Sequence, residues 1–235
     1  MFAYDAAVLD RFPGVRGGIV VARGVINGPS PAGLAASFVA EQQRVRAELG
    51  ERSLAELPSI AAWRRAFSAF GVEPTKYRNA AEALLRRLTK KGDIPSISTL
   101  VDLGNLVSIR HRLPVAVFDV AAINGGLSVR FATGTERFDD LGGTEADHPV
   151  PGEVVFVDAG GEIGARRWCW RQSIASAAKP TTTETLITVE AHHEGGEADV
   201  HQALGSFATL FAEHLPGVNV DTAELGPSRP AYQGE

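Results

Sequence analysis

The eight residues Ala165-Arg-Arg-Trp-Cys-Trp-Arg-Gln172 have the most unusual composition in the chain. On an extended strand Arg166, Trp168, Trp170 and Gln172 would project to one side, and Arg167, Cys169 and Arg171 to the other. Two indoles with polar ends on one face suit stacking against an aromatic ring or a nucleobase. The same pattern also describes tryptophans that fill a sheet core while arginines pair with local acids, and the residues alone leave both possibilities open. A second cluster, His192-His193-Glu194 with Glu197 and His201, holds metal-type side chains; His193, Glu197 and His201 are spaced by four, one face of a helix. Gly195-Gly196 falls inside that spacing and glycine pairs interrupt helices, so an exposed polar loop without a metal is expected. The sequence has no nucleophile elbow, phosphate-cradling glycine loop or dinucleotide fingerprint. No catalytic side chain and no cofactor are assigned.

The charge distribution bounds the partners. The 235 residues carry a net charge of -5, which argues against indiscriminate nucleic-acid binding. From Trp63 to Leu113, however, ten bases (Arg64, Arg65, Lys76, Arg78, Arg86, Arg87, Lys90, Lys91, Arg110, Arg112) face four acids, a local +6 that leaves -11 for the remainder. Such asymmetry permits a localised anionic partner, and equally a helix with a solvated basic face. The segment Asn79–Arg110 has the outline of a helix-turn-helix, but its second helix is mostly apolar where base-reading side chains would be needed, so no DNA partner is expected. No apolar run reaches membrane-spanning length, no signal peptide is evident, and the single cysteine, Cys169, excludes an internal disulfide. A cytoplasmic protein with no membrane partner is expected.

Periodicity supplies the elements that must position these residues. Gly17–Ile26 reads as a strand, and Ser30-Pro31 opens a helix to Gly50 with serine as its cap. Further helices are expected over Ile60–Phe70, from the Asn79/Glu82 capping box to Gly92, and over Ile97–Arg110. After Pro114 the period becomes strand-like over Val115–Val120, Leu127–Ala132, Glu153–Asp158, Ala165–Gln172 and Thr185–Ala191, before a helix over Val200–His214. The expectation is an α+β fold with a central antiparallel or mixed sheet and flanking helices. Residues 1–76 complete the domain, 77–217 form its core, and 218–235 are a loose tail.

One family resemblance rests on Val101-Asp102, Asn105, Pro114, Phe118-Asp119, Gly125-Gly126, Val129-Arg130, Glu136 and Gly143-Thr144-Glu145, in order and near-family spacing. The stretch from about Tyr77 to Ala191 resembles the B3/4 domain, the tRNA-binding and editing module of the phenylalanyl-tRNA synthetase beta subunit, which also occurs free-standing. Gly71-Val-Glu-Pro-x-Lys-Tyr-Arg and the Arg166–Gln172 run look more like the free-standing members. The resemblance implies that Glu145 accepts a tyrosine hydroxyl, that Gly125, Gly126, Gly164 and Ala165 leave room for the amino acid, and that Asn105 belongs to the same pocket. A buried acceptor would reject phenylalanine by being left unpaired. The family's Pro-Leu-His-Ala-Phe-Asp has Ala116 in place of histidine here, and its glycine-rich strand has become the Arg-Trp-Cys-Trp-Arg run. The expected function is RNA binding with editing in trans of a mischarged, tyrosyl-tRNA(Phe)-like ester. tRNA would be engaged through Arg86, Arg87, Lys90, Lys91, Arg110 and Arg112. The alternative is a non-catalytic module that binds an aromatic amino acid.

Overall fold

The computed structural model describes residues 1–140 and 147–234. The chain opens with β1 (Phe2–Tyr4) and α1 (Ala6–Arg11), then enters β2 (Arg16–Arg23), whose β-branched run between turn residues is buried on both faces. Four helices follow: α2 (Ala32–Leu49), α3 (Pro58–Ala69), α4 (Ala80–Lys91) and α5 (Thr99–His111). The second half supplies β3 (Val115–Asp119), β4 (Leu127–Phe131), β5 (Val154–Asp158), β6 (Ile163–Arg166), β7 (Arg171–Gln172) and β8 (Glu184–Ala191). The last elements are α6 (Gly196–His214), β9 (Asn219–Leu225) and β10 (Ala231–Tyr232).

The strands form two sheets in an α+β fold: an antiparallel one ordered β3-β8-β2-β9, and a mixed one ordered β10-β1-β4-β5-β6-β7 in which β1 and β4 run parallel. Alternation along β2 shows how the layers are built. Val20 and Ala22 point into a core shared with α2, α4, α5 and α6, whereas Ile19 and Val21 point into a second core between the sheets. The second core is rich in aromatic residues from β1, α3, Phe12 at the end of α1 and the segment after β6. Gly18 is required because a methyl there would lie 2.8 Å from Val189 and 2.9 Å from Val200, so glycine lets α6 approach the sheet.

Three expectations are corrected. The stretch after Gly217 is not a loose tail: β9 pairs with β2 over seven residues and buries Ala223 and Leu225, and β10 pairs with β1. Ser30 does not cap α2; its hydroxyl donates to buried Asp102 (2.6 Å), leaving Pro31 as the flanking residue. Ala165–Gln172 is not one strand, because Arg167 (φ 44°) and Trp168 (φ 61°) adopt left-handed conformations that turn the chain between β6 and β7.

Candidate functional site

Of the capping box expected at Asn79 only one half forms: the Asn79 side chain accepts from the Glu82 amide (3.0 Å), the Glu82 carboxylate turns to Arg64 instead of back to the Asn79 amide, and Gly92 ends α4 at φ 90°. Ala81, Leu85 and Leu88 are buried, and Glu82 is held by Arg64 (2.5 and 3.1 Å), so the opposite side of α4 is left to solvent. That side presents Arg86 and Lys90, and Arg87 and Lys91, as two rows spaced by four. With Lys76, Arg78, Trp170 and Arg171 they line a groove of about 450 Å³. Arg78 lies 3.6 Å from Glu82, Arg87 lies 3.6 Å from Asp93, and Arg171 pairs with Asp140 at 2.6 Å. Among the described residues no carboxylate lies within 4 Å of Lys76, Arg86, Lys90 or Lys91. The groove therefore concentrates uncompensated positive charge on an acidic protein.

The turn after β6 brings Trp170 to this groove. Arg166 is buried and its guanidinium makes two bonds to Glu153 (2.9 and 3.1 Å) and another to Asp147. Burial works against its charge, but these carboxylates raise its pKa. Glu153 also accepts from the Arg167 amide (2.9 Å), and the Cys169 carbonyl accepts from the amide of Ala80 at the start of α4 (2.8 Å). The two left-handed residues send neighbouring indoles to different places. Trp168 is buried against Phe12, Trp63 and His192, and donates to Glu190 (3.0 Å), while half-buried Trp170 meets Tyr77 edge to face at 5.1 Å.

A second cavity, about 240 Å³, lies beside Gly164 and is lined by Ile123, Leu127, Arg137, Asp139, Glu162 and Ser176 among others. Phe156 faces Ala165 while Val157 faces Ile163, so Gly164 is the extra residue of a β-bulge. A methyl on Gly164 would stand 3.0 Å from Phe118. Asp158, also in the lining, is occupied in accepting from the amides of Asn124, Gly160 and Glu162 (2.9, 2.8 and 2.9 Å).

Residues 62–208 match the family model described as "B3/4 domain". The chain belongs to the B3/4 domain family. The match extends beyond the Tyr77–Ala191 stretch at both ends, taking in most of α3 and much of α6. This B3/4 domain is similar to the phenylalanine–tRNA ligase beta subunit of Shewanella oneidensis, with 28% identity over 88 residues, 37% of this chain and 11% of that protein. The corresponding subunit of Photorhabdus laumondii subsp. laumondii is 36% identical over 63 residues, 27% of this chain and 8% of that protein. The matched stretch thus spans about a tenth of these relatives. A solved N-terminal fragment of the phenylalanyl-tRNA synthetase beta subunit from Pyrococcus horikoshii is aligned over 95% of this chain and 53% of its own, at 12% identity and TM-score 0.48.

The B3/4 domain does not gather all the residues singled out from its sequence. Arg86, Arg87, Lys90, Lys91 and Trp170 share the groove, but Arg110 pairs with Glu41 (2.9 Å) and Arg112 with Glu48. Gly164 lines the cavity, whereas Ala165 and Trp168 are packed between the sheets and Gln172 donates to the Val117 carbonyl (2.6 Å). Gly125 (φ 71°) and Gly126 (φ 104°) form the corner before β4, and Asn105 is half-buried on α5. Glu145 lies outside the described residues; Asp140 and Asp147 on its two sides pair with Arg171 and Arg166. His193 bonds Asp199 (2.8 Å) and His201 bonds Glu224 (2.7 Å); among the described residues no three His, Cys, Asp or Glu are grouped to hold a metal. α6 starts at Gly196, so His193 precedes the helix that would have aligned it with Glu197 and His201. Among the described residues no helix is long and apolar enough to cross a membrane.

Sequence reasoning gave no site role to Tyr77, Arg167 or Glu190. Arg167 lies over the rings of both Tyr77 (3.9 Å) and Trp170 (4.5 Å), and burial lowers its pKa. The aromatic and cationic run Lys76-Tyr77-Arg78 was a usable signal for the groove. Glu190, a lone acid in the apolar run of β8, was the signal for a buried carboxyl. It accepts from Tyr4 (2.7 Å) and Trp168, and burial pushes its pKa up to about 7 against the pull of those two bonds.

Proposed function

We propose that this B3/4 protein binds tRNA through the α4 groove and hydrolyses, in trans and in the cytoplasm, the ester of a mischarged aminoacyl-tRNA of the tyrosyl-tRNA(Phe) type. The observation that carries this reading is the groove: two rows of exposed cations on one helix of an otherwise acidic member of a family related to a tRNA ligase subunit. Phosphodiesters reward such a surface with salt-sensitive affinity. The Gly164 cavity is the candidate receptor for the aminoacyl group, with Asp139 and Glu162 suited to its α-ammonium. Water adds to the ester carbonyl carbon, the bond to the ribose oxygen breaks, that oxygen takes a proton, and the free amino acid leaves. An aminoacyl ester is already reactive, so orientation beside a water is the main demand on the protein. Glu145, carried over from the family pattern, is assigned to accept the phenolic hydroxyl.

A second reading, a non-catalytic amino-acid binder, is favoured by one feature. Arg137 stands beside Asp139 and Glu162 at the cavity, and a free amino acid has a carboxylate for that arginine where an ester has none. Loss of ester from tyrosyl-tRNA(Phe) and phenylalanyl-tRNA(Phe), followed at modest salt, separates the two. Cleavage of the tyrosyl form more than about ten-fold faster, with selectivity lost in Glu145→Ala, is the expected result. No cleavage of either, together with thermal stabilisation by tyrosine, would replace hydrolysis with ligand binding.

A further inference from the structure

The α4 groove has an aromatic rim that phosphate binding does not need. Trp170 lines its edge with Tyr77 packed against it, Arg167 (14% exposed) lies over both rings, and Arg171 (46% exposed) lies over Trp170 at 4.5 Å. The turn that brings Trp170 here contains two non-glycine left-handed residues, a conformation that costs free energy and persists only where its surroundings fix it. Here they are the Glu153 contact to Arg167, the burial of Trp168 and the bond from Ala80 to Cys169. A regular strand would have put the two indoles on one face; the strained turn instead buries one and delivers the other to the cations.

We propose that Trp170 is a stacking platform for an unpaired nucleobase, so that the groove takes a single-stranded segment of RNA in preference to a duplex. This rests on the RNA-binding reading and specifies its ligand. Rows spaced by four on α4 advance about 6 Å per step, a spacing suited to successive phosphates of an extended strand. An unpaired base presents a π face beside those phosphates, whereas a duplex hides its faces in its own stack. Arg171 is the more exposed of the two cations over the indole, so it is the one an entering base stacks upon or displaces. Once displaced it remains beside the phosphates. Trp170 lines the groove and not the Gly164 cavity, which separates base recognition from recognition of the aminoacyl group.

The test uses a fluorescein-labelled single-stranded RNA octamer and a blunt duplex of the same length, titrated at low salt against the native protein, Trp170→Ala, Trp170→Phe and Arg86→Glu/Lys90→Glu. Native protein should prefer the single strand. Trp170→Ala should lose about ten-fold in affinity for it with little change for the duplex, Trp170→Phe should keep most of the affinity, and the double charge reversal should weaken both ligands. Single-strand binding should also quench intrinsic fluorescence in the native protein and not in Trp170→Phe, because Trp63 and Trp168 are buried. If Trp170→Ala binds the single strand as well as native protein does, while the charge reversal weakens it, stacking is refuted and the RNA reading stands. If native protein binds neither RNA, both fail.

Discussion

Replacing Glu190 with glutamine should change how stability depends on pH. The carboxyl is 2% exposed and accepts from Tyr4 and Trp168 at one oxygen. Three neighbouring groups titrate: burial and Glu190 push up the pKa of Tyr4 and of the Cys169 thiol, and burial with His193 lowers His192 to about 3. Burial raises Glu190 from 4.5 to about 7. Between those values the folded state holds a proton that the unfolded chain has released, so stability must fall as pH rises through the window and level off above it. The shift is worth on the order of 3 kcal/mol. His192 acts in the opposite sense: its contribution is present above pH 6.5 and is lost as pH falls toward about 3, so the native profile mixes two slopes. Subtraction isolates one. Glutamine keeps an oxygen for both donors and cannot ionise. Urea unfolding of both proteins from pH 4.5 to 8.5 should show Glu190→Gln gaining about 3 kcal/mol relative to native up to pH 7, then a constant difference. Parallel curves, or a difference that shrinks with rising pH, would show that the native fold holds Glu190 ionised and that burial does not dominate its titration.

Two further stability predictions concern the scaffold of the site. Glu153→Ala leaves buried Arg166 with only the exposed Asp147 and removes the acceptor of the Arg167 amide; a loss of about 3 kcal/mol in urea unfolding is expected, and no change would deny the ion pair its part in fixing the turn. Gly18→Ala should cost about 1–3 kcal/mol by driving a methyl into Val189, Val200 and Leu204, whereas Gly205→Ala, exposed on α6 with nothing near its missing methyl, should gain up to about 1 kcal/mol; thermal unfolding that ranks the two in the opposite order would contradict the packing of α6.

What could be read from the sequence was whatever depended on neighbours in the chain. The Asn79–Gly92 helix was legible because its cap, its apolar stripe and its glycine stop all lie within fourteen residues. Non-local pairing was not legible. Arg110 and Arg112 entered the same local charge excess as Lys90, yet they are neutralised by Glu41 and Glu48, residues 69 and 64 positions earlier. β9 was hidden for the same reason: Asn219, Asp221 and Glu224 make a poor strand alone, and the segment is ordered by a full ladder with β2.

The turn at Arg167 and Trp168 marks a different limit. Alternation along a strand assigns faces only while the backbone stays extended, and a left-handed residue breaks that parity. Glycine would have announced the break; arginine and tryptophan do not. The turn exists because partners elsewhere hold it: Glu153 from just before β5, Glu190 from the facing sheet, and the first amide of α4. Those same partners fix where Trp170 stands, beside the cations of α4 rather than beside Trp168. The most informative residue of the Arg166–Gln172 run therefore owes its position, and with it its proposed use as a base platform, to contacts no local pattern encodes.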